Sequence, residues 1–331
     1  MKAIQINRFG GPEILEPVDA PMPVPSPGEV LVAVRAAGVN FADTLMRADR
    51  YAMTPPLPSI LGQEVAGVVA GHGEGVDRSS WPMGQRVAAP LFAIGRFLGG
   101  YADHVAISTD ALVPIPDGLS FEAASALMVQ GLSALHLLHQ APATGRTVLI
   151  SAAAGGVGSF LVQLARRDGA KRVIAAASSP EKLAFARDLG VDDVVNYAER
   201  GWAEAARAAA GGAGLDLVFE SAGGMITRDC LGLLGPCGRL MIYGALNIHD
   251  FRFDAEDLKR IIFLNQSISG FALVPLLTPD GLRRDLSELF GLAAQGQLMV
   301  TIDSVHRLED AAEAHRRIES RASRGKIILT P

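Results

Sequence analysis

The chain has 331 residues, 49% of them apolar and 20% charged, and a formal net charge of −5. At roughly 150 residues per domain, that length predicts two domains with separate cores, and the composition excludes a disordered chain. No long run of Lys and Arg offers an electrostatic footprint for nucleic acid or an anionic membrane surface. The densest basic cluster, Arg316, Arg317, Arg321, Arg324 and Lys326, is preceded or interleaved by Glu309, Asp310, Glu313 and Glu319 and reads as a solvated face. The opening residues lack the apolar stretch of a secretory signal, and no segment approaches ~18 uninterrupted apolar residues, so a cytoplasmic protein is expected. The only cysteines, Cys230 and Cys237, fit neither a metal-ligand spacing nor a CxxC redox pair.

From the start to about residue 122, short β-type runs at 4–7, 30–36, 65–70, 86–89, 102–107 and 112–114 are broken by Gly and Pro. Regular short strands with turn punctuation predict a β-rich, barrel-like domain. The rhythm then changes to apolar strands alternating with amphipathic helices, with strands expected at 147–151, 173–177, 193–196, 215–220, 239–243 and 267–271. Such alternation predicts βαβ units in a doubly wound parallel sheet. The tail offers a helix over 283–294, helical periodicity over 308–320 and a strand at 326–329.

The strand Thr147-Val148-Leu149-Ile150-Ser151 runs directly into Ala152-Ala153-Ala154-Gly155-Gly156-Val157-Gly158, and a helix over 159–167 follows with Val157, Phe160, Leu161 and Leu164 at core-facing spacing. In a strand–turn–helix, such glycines let the backbone approach a pyrophosphate, and the free N–H groups of the helix N-terminus favour the anion. Ala154, Gly155, Gly156, Val157 and Gly158 are therefore cofactor candidates. About 20 residues on, where a site for the unphosphorylated dinucleotide carries an acid for the ribose, the next strand ends on Ala177, Ser178 and Ser179. The two hydroxyls, with Lys182 one turn later, suit a 2′-phosphate, so NADPH is the expected cofactor. Ser179-Pro180 also has the form of a helix N-cap with its first helical residue.

Seven segments in order carry a resemblance: Phe9-Gly10-Gly11-Pro12-Glu13, Gly38-Val39-Asn40-Phe41-Ala42-Asp43, Gly62-Gln63-Glu64-Val65-Ala66-Gly67, Val129-Gln130-Gly131-Leu132-Ser133-Ala134, the glycine turn, Val195-Asn196-Tyr197 and Gly325-Lys326-Ile327-Ile328-Leu329. Together they resemble the zinc-independent quinone oxidoreductases of the medium-chain dehydrogenase/reductase superfamily. The resemblance implies a GroES-like catalytic domain (1–122 plus 275–331) around an inserted Rossmann NADPH-binding domain (123–274), an active site in the cleft between them, and a homodimer paired through the strand near 267–271.

Zinc-dependent relatives have Cys where this chain has Asn40 and His where it has Gln63, and neutral amides do not replace thiolate and imidazole ligands. No metal is expected. His136 and His139, at i and i+3, read as a solvated helix face. Hydride delivery to a quinone or another α,β-unsaturated carbonyl builds charge on oxygen, so hydrogen-bond donors must stand in for the metal. The resemblance implies Asn40, Gln63 and Tyr51 for that role. It places Gln130 and Ser133 near the nicotinamide, Tyr197 near the adenosine phosphate, and Asn40, Gly244 and Lys326 among the cofactor contacts. Many quinone oxidoreductases carry Tyr where this chain has Leu45, which weakens any aromatic stacking there. An enoyl-thioester or alkenal reductase on the same scaffold, or an NADPH-binding regulatory protein with little turnover, shares all of these features.

Overall fold

The β-type runs of the first part of the chain form strands that pair antiparallel. The computed structural model describes residues 1–244 and 250–331. In chain order the strands are β1 (Lys2–Ile6), β2 (Glu16–Asp19), β3 (Glu29–Val39), β4 (Ser59–Ile60), β5 (Glu64–His72), β6 (Arg86–Pro90), β7 (His104–Ser108) and β8 (Val113–Pro114). Helix α1 (Phe41–Arg47) follows β3 directly. The first half of β3 alternates buried and half-buried residues, whereas its last four residues are all buried.

Helix α2 (Phe121–Ala126), a π turn at Leu127–Gly131 and helix α3 (Leu132–Gln140) form one continuous helical run. By length and mean hydropathy alone Phe121–Gln140 could cross a membrane, which the sequence reading did not anticipate because Glu122, Gln130 and the two histidines interrupt it. Most of it, 72%, is buried inside the protein, as in a core helix.

Next come β9 (Thr147–Ile150), α4 (Gly156–Arg167), β10 (Arg172–Ala177), α5 (Pro180–Asp188), β11 (Asp193–Asn196), α6 (Trp202–Ala209), β12 (Leu215–Glu220), α7 (Met225–Leu233), β13 (Leu234–Ile242), α8 (Ala255–Leu264) and β14 (Ser267–Gly270). These strands form a parallel sheet in the order β11-β10-β9-β12-β13-β14, with the order reversing beside β9. Strand β13 begins five residues before the expected 239, because Pro236 and two glycines hide its start and a register shift interrupts its pairing with β12.

The tail supplies α9 (Pro279–Ala294), β15 (Ile302–Arg307), α10 (Ala311–Glu319) and β16 (Lys326–Thr330). Strand β16 pairs antiparallel with the end of β3, so the tail joins the sheet β15-β16-β3-β5-β6-β8, while β7 pairs with the start of β3. A smaller sheet runs β2-β1-β4. Polar β15, Ile-Asp-Ser-Val-His-Arg, gives no strand signal; it is an edge held by pairing with β16. The chain divides into two compact units, Met1–Leu132 with Val274–Pro331, and Ser133–Leu273. The helical run that opens at Phe121 thus stays with the first unit up to Leu132. Each unit has its own core, one built on β1, β3, β5 and β16, the other on β9, β10, β12 and β13.

Candidate active site

In the second unit, β9 ends at Ile150, Ala152 takes a left-handed conformation (φ 48°), and α4 begins at Gly156 with Gly155 as N-cap. No side chain caps this helix, so its first N–H groups keep their capacity for an anion. A Cβ on Gly158 would lie 2.4 Å from the Ala152 carbonyl oxygen and 2.8 Å from Ala153 Cα. Glycine here lets α4 pack against the turn, while Ala153 and Ala154 are buried. At the end of β10, Ala177 is buried and Ser178 and Ser179 are half-buried; Ser179 is the N-cap of α5, accepting from the Lys182 N–H. No carboxylate occupies that strand end, so the residues fit a cofactor bearing a 2′-phosphate. Tyr197 follows β11, its ring edge-on to Trp202, and Gly244 follows β13, where a Cβ would meet Ser221 at 2.7 Å. Ser133 is buried on α3. Glu220, at the end of β12, accepts from the Ala222 and Gly223 N–H groups and from Thr227, and so caps the turn into α7.

In the first unit, motifs far apart in sequence meet in a buried polar cluster. Asn40, the N-cap of α1, donates from Nδ2 to Glu64 Oε1 (2.8 Å) and accepts at Oδ1 from Lys326 Nζ (2.8 Å). Lys326 also lies 2.5 Å from Glu64 Oε1; it is 1% exposed. Lys326 and Asn40, both expected among the cofactor contacts, therefore meet each other. Glu64 Oε2 accepts from the Val129 N–H at 2.7 Å, which ties β5 to the π turn. Gly38 has no Cβ because one would sit 2.3 Å from Glu64 Oε1.

Asp43, fully buried, accepts from the Asn40 N–H (2.8 Å), from Gln63 Nε2 (2.9 Å) and from the Tyr101 hydroxyl (2.9 Å). Burial pushes its carboxyl up to about 6, although the Gln63, Asn40 and Tyr101 donors and the Lys326 charge oppose the rise. Tyr101 is 3.0 Å from His315 Nε2, and His315 Nδ1 is 3.2 Å from Arg47, which pairs with Glu319 and donates to the Gly10 carbonyl. Burial, helped by the Arg47 charge, pushes His315 down to about 3, so it is neutral. Tyr51 stands 38% exposed on the loop after α1; partial burial first, and the Asp43 charge second, raise its hydroxyl pKa. Gln130, in the π turn, is 8% exposed, and its buried Oε1 has no hydrogen-bond partner among the described residues.

The structure thus brings Asn40, Gln63 and Lys326 together and adds Asp43, Glu64, Tyr101, Arg47 and His315, which the sequence reading did not select. Asp43 and Glu64 stand inside the quoted motifs; Tyr101 and His315 have no local signal. Among the described residues, no group of three or more His, Cys, Asp or Glu could hold a metal ion.

Residues 26–117 match the alcohol dehydrogenase GroES-like domain, and 156–293 match the zinc-binding dehydrogenase domain. A quinone oxidoreductase of Pseudomonas aeruginosa is 35% identical over 337 residues, covering 100% of this chain and 99% of the relative. The chain belongs to the quinone oxidoreductase family of medium-chain dehydrogenases/reductases. The family's pig quinone oxidoreductase is 32% identical, covering 99% of this chain and 97% of its own length. The Escherichia coli quinone oxidoreductase solved with NADPH superposes with a TM-score of 0.90 at 30% identity, over 100% of both chains. One matching domain is described as zinc-binding, yet the ligand positions named above hold the amides Asn40 and Gln63.

Proposed function

We propose that this protein is an NADPH-dependent oxidoreductase that reduces quinones, and other activated α,β-unsaturated carbonyls, without zinc. The observation that carries the reading is the full-length likeness to the Escherichia coli enzyme solved with NADPH. The glycine turn and the acid-free end of β10 support the choice of cofactor. NADPH, when bound, supplies the hydride. The α4 N-terminus and the Gly155-Gly156-Val157-Gly158 turn would hold the pyrophosphate, with Ser178, Ser179 and Lys182 at the 2′-phosphate and Tyr197 and Gly244 beside the adenosine end. Gln130 and Ser133 would orient the nicotinamide amide. Reduction of a quinone to its hydroquinone takes one hydride and one proton, and negative charge develops on the oxygen that receives the proton. Tyr51, on the loop after α1 and close enough to feel the Asp43 charge, is the donor in this reading, with Gln63 as a further hydrogen-bond donor. Asn40, both ends of whose amide are engaged, shapes the pocket.

We further propose that the protein works in the cytoplasm as a homodimer. Strand β14 ends the sheet order, and α8 exposes Leu258, Ile262 and Phe263, the last 80% exposed, which supports pairing of two copies there. The test of the activity is NADPH oxidation followed by its absorbance with a panel of quinones and enones and with NADH in parallel. Turnover with quinones and a preference for NADPH is the expected result. Tight NADPH binding with no turnover on any acceptor would overturn it.

A further inference from the structure

The contacts around Asp43 fix every proton along a chain of four side chains. Arg47 can only donate, so His315 Nδ1 accepts, and the imidazole of a neutral His315 then carries its hydrogen on Nε2. That N–H faces the Tyr101 oxygen, so the Tyr101 hydroxyl must turn its own hydrogen to Asp43 Oδ2. Asp43, as a carboxylate, can only accept, which forces Gln63 to present Nε2 to it at 2.9 Å and so sets the orientation of the Gln63 amide. All four are fully buried or nearly so: Tyr101 and His315 are at 0% exposure, Asp43 at 0% and Gln63 at 4%. Arg47 is anchored in turn by Glu319 and by the Gly10 carbonyl.

We propose that His315 is a positioning residue for the reaction: as a neutral imidazole it keeps the Tyr101 hydroxyl on Asp43, and so governs the proton affinity of the carboxylate that holds the Gln63 amide. The inference rests on the reading of this chain as an NADPH-dependent quinone reductase, in which Gln63 serves the substrate oxygen. The charged and titratable groups around Asp43 are Arg47 on α1, Tyr51 on the following loop, Glu64 on β5, Tyr101 before β7, His315 and Glu319 on α10, and Lys326 on β16. Among these, only Tyr101 touches both Asp43 and His315. When Asp43 takes up a proton it can donate, and the Gln63 amide is no longer held in one orientation. Turnover should therefore fall on the acid side with the midpoint of Asp43.

The experiment has two readouts on the full chain. One is the titration of Asp43 by carbon NMR of carboxyl-labelled aspartate, with Asp43→Asn to assign its signal; it needs no turnover. The other is the pH profile of kcat/KM for a quinone. In Tyr101→Phe, the Asp43 midpoint and the acid limb are both expected to rise by about one pH unit, the size of a lost hydrogen bond to a charged group; in His315→Leu, which frees the Tyr101 hydroxyl without removing it, both should rise by less. KM for NADPH should stay unchanged. His315→Gln, which can accept from Arg47 and donate to Tyr101, should restore both. An Asp43 midpoint unmoved in Tyr101→Phe, a midpoint that moves without the acid limb, or a His315→Gln no better than His315→Leu each overturns the inference. If His315→Leu does not fold, Tyr101→Phe and His315→Gln decide. A wild type that binds NADPH but reduces no quinone would defeat the functional reading, and the NMR titration would still report whether His315 governs Asp43.

Discussion

Asn40 engages both ends of its amide, with Glu64 and Lys326, whereas Tyr51, on the loop after α1, is 38% exposed and is the donor we propose. Tyr51→Phe keeps the ring and removes only the donor. A general acid is worth about 10²–10⁴ in rate, so kcat should fall on that scale with NADPH binding intact, more for enones than for reactive quinones. Near-wild-type turnover on every acceptor would leave Tyr51 as a loop residue. His315 makes a second prediction, about stability. Its pKa is lowered from 6.5 to about 3 on folding. A depressed imidazole contributes stability that is complete above the unfolded value and is lost as pH falls toward the folded one. His315→Gln lacks this dependence, so the stability gap between wild type and variant should narrow from pH 6.5 downward, by at most about 1.4 kcal/mol per pH unit. Thermal unfolding at stepped pH measures the gap; a constant gap would mean that His315 titrates normally.

At the scale of elements, the turn between β9 and α4 depends on close contact. Gly158→Ala places a methyl 2.4 Å from the Ala152 carbonyl, so α4 must move away from the turn that its N-terminus extends. Overpacking of this kind costs about 1–3 kcal/mol. The same shift moves the N–H groups that would face the pyrophosphate, so NADPH and NADH affinity should fall together, as read by fluorescence titration. A loss confined to NADPH would show that the turn had stayed in place and the 2′-phosphate contacts had changed. The helical run from α2 to α3 bears on function too. Its π turn presents the Val129 N–H to Glu64 and leaves Gln130 Oε1 without a partner among the described residues, and such turns often occur at functional sites.

For the whole molecule, the amides at positions 40 and 63 predict that the purified protein carries no stoichiometric zinc and that a chelator leaves quinone turnover unchanged. Elemental analysis finding one tightly held zinc per chain would contradict this. Much of the architecture is legible in the sequence because periodicity is a local property: β9 to β12 fall where apolar runs predict them, and the glycine turn is readable from spacing alone. Strand β15 and the start of β13 escape because polar residues or Pro236 mask pairing that neighbouring strands enforce. The cluster itself was half legible. Asn40, Gln63 and Lys326 could be picked out from motifs, but their mutual contacts could not, since 286 positions separate Lys326 from Asn40. Nothing near Tyr101 or His315 marks either as a partner of Asp43, because burial and hydrogen-bond direction exist only once α10 has docked.

That long reach also sets an order of events during synthesis. Ser133–Leu273 is complete in sequence before α10 and β16 emerge from the ribosome, so this unit can fold on the nascent chain while β3 still lacks its neighbour β16. Until then Asn40 and Glu64 have no Lys326, and Asp43 and Tyr101 have no His315. A stalled or shortened nascent chain would thus carry a folded dinucleotide unit and an incomplete polar cluster, with part of the edge of β3 exposed to chaperones.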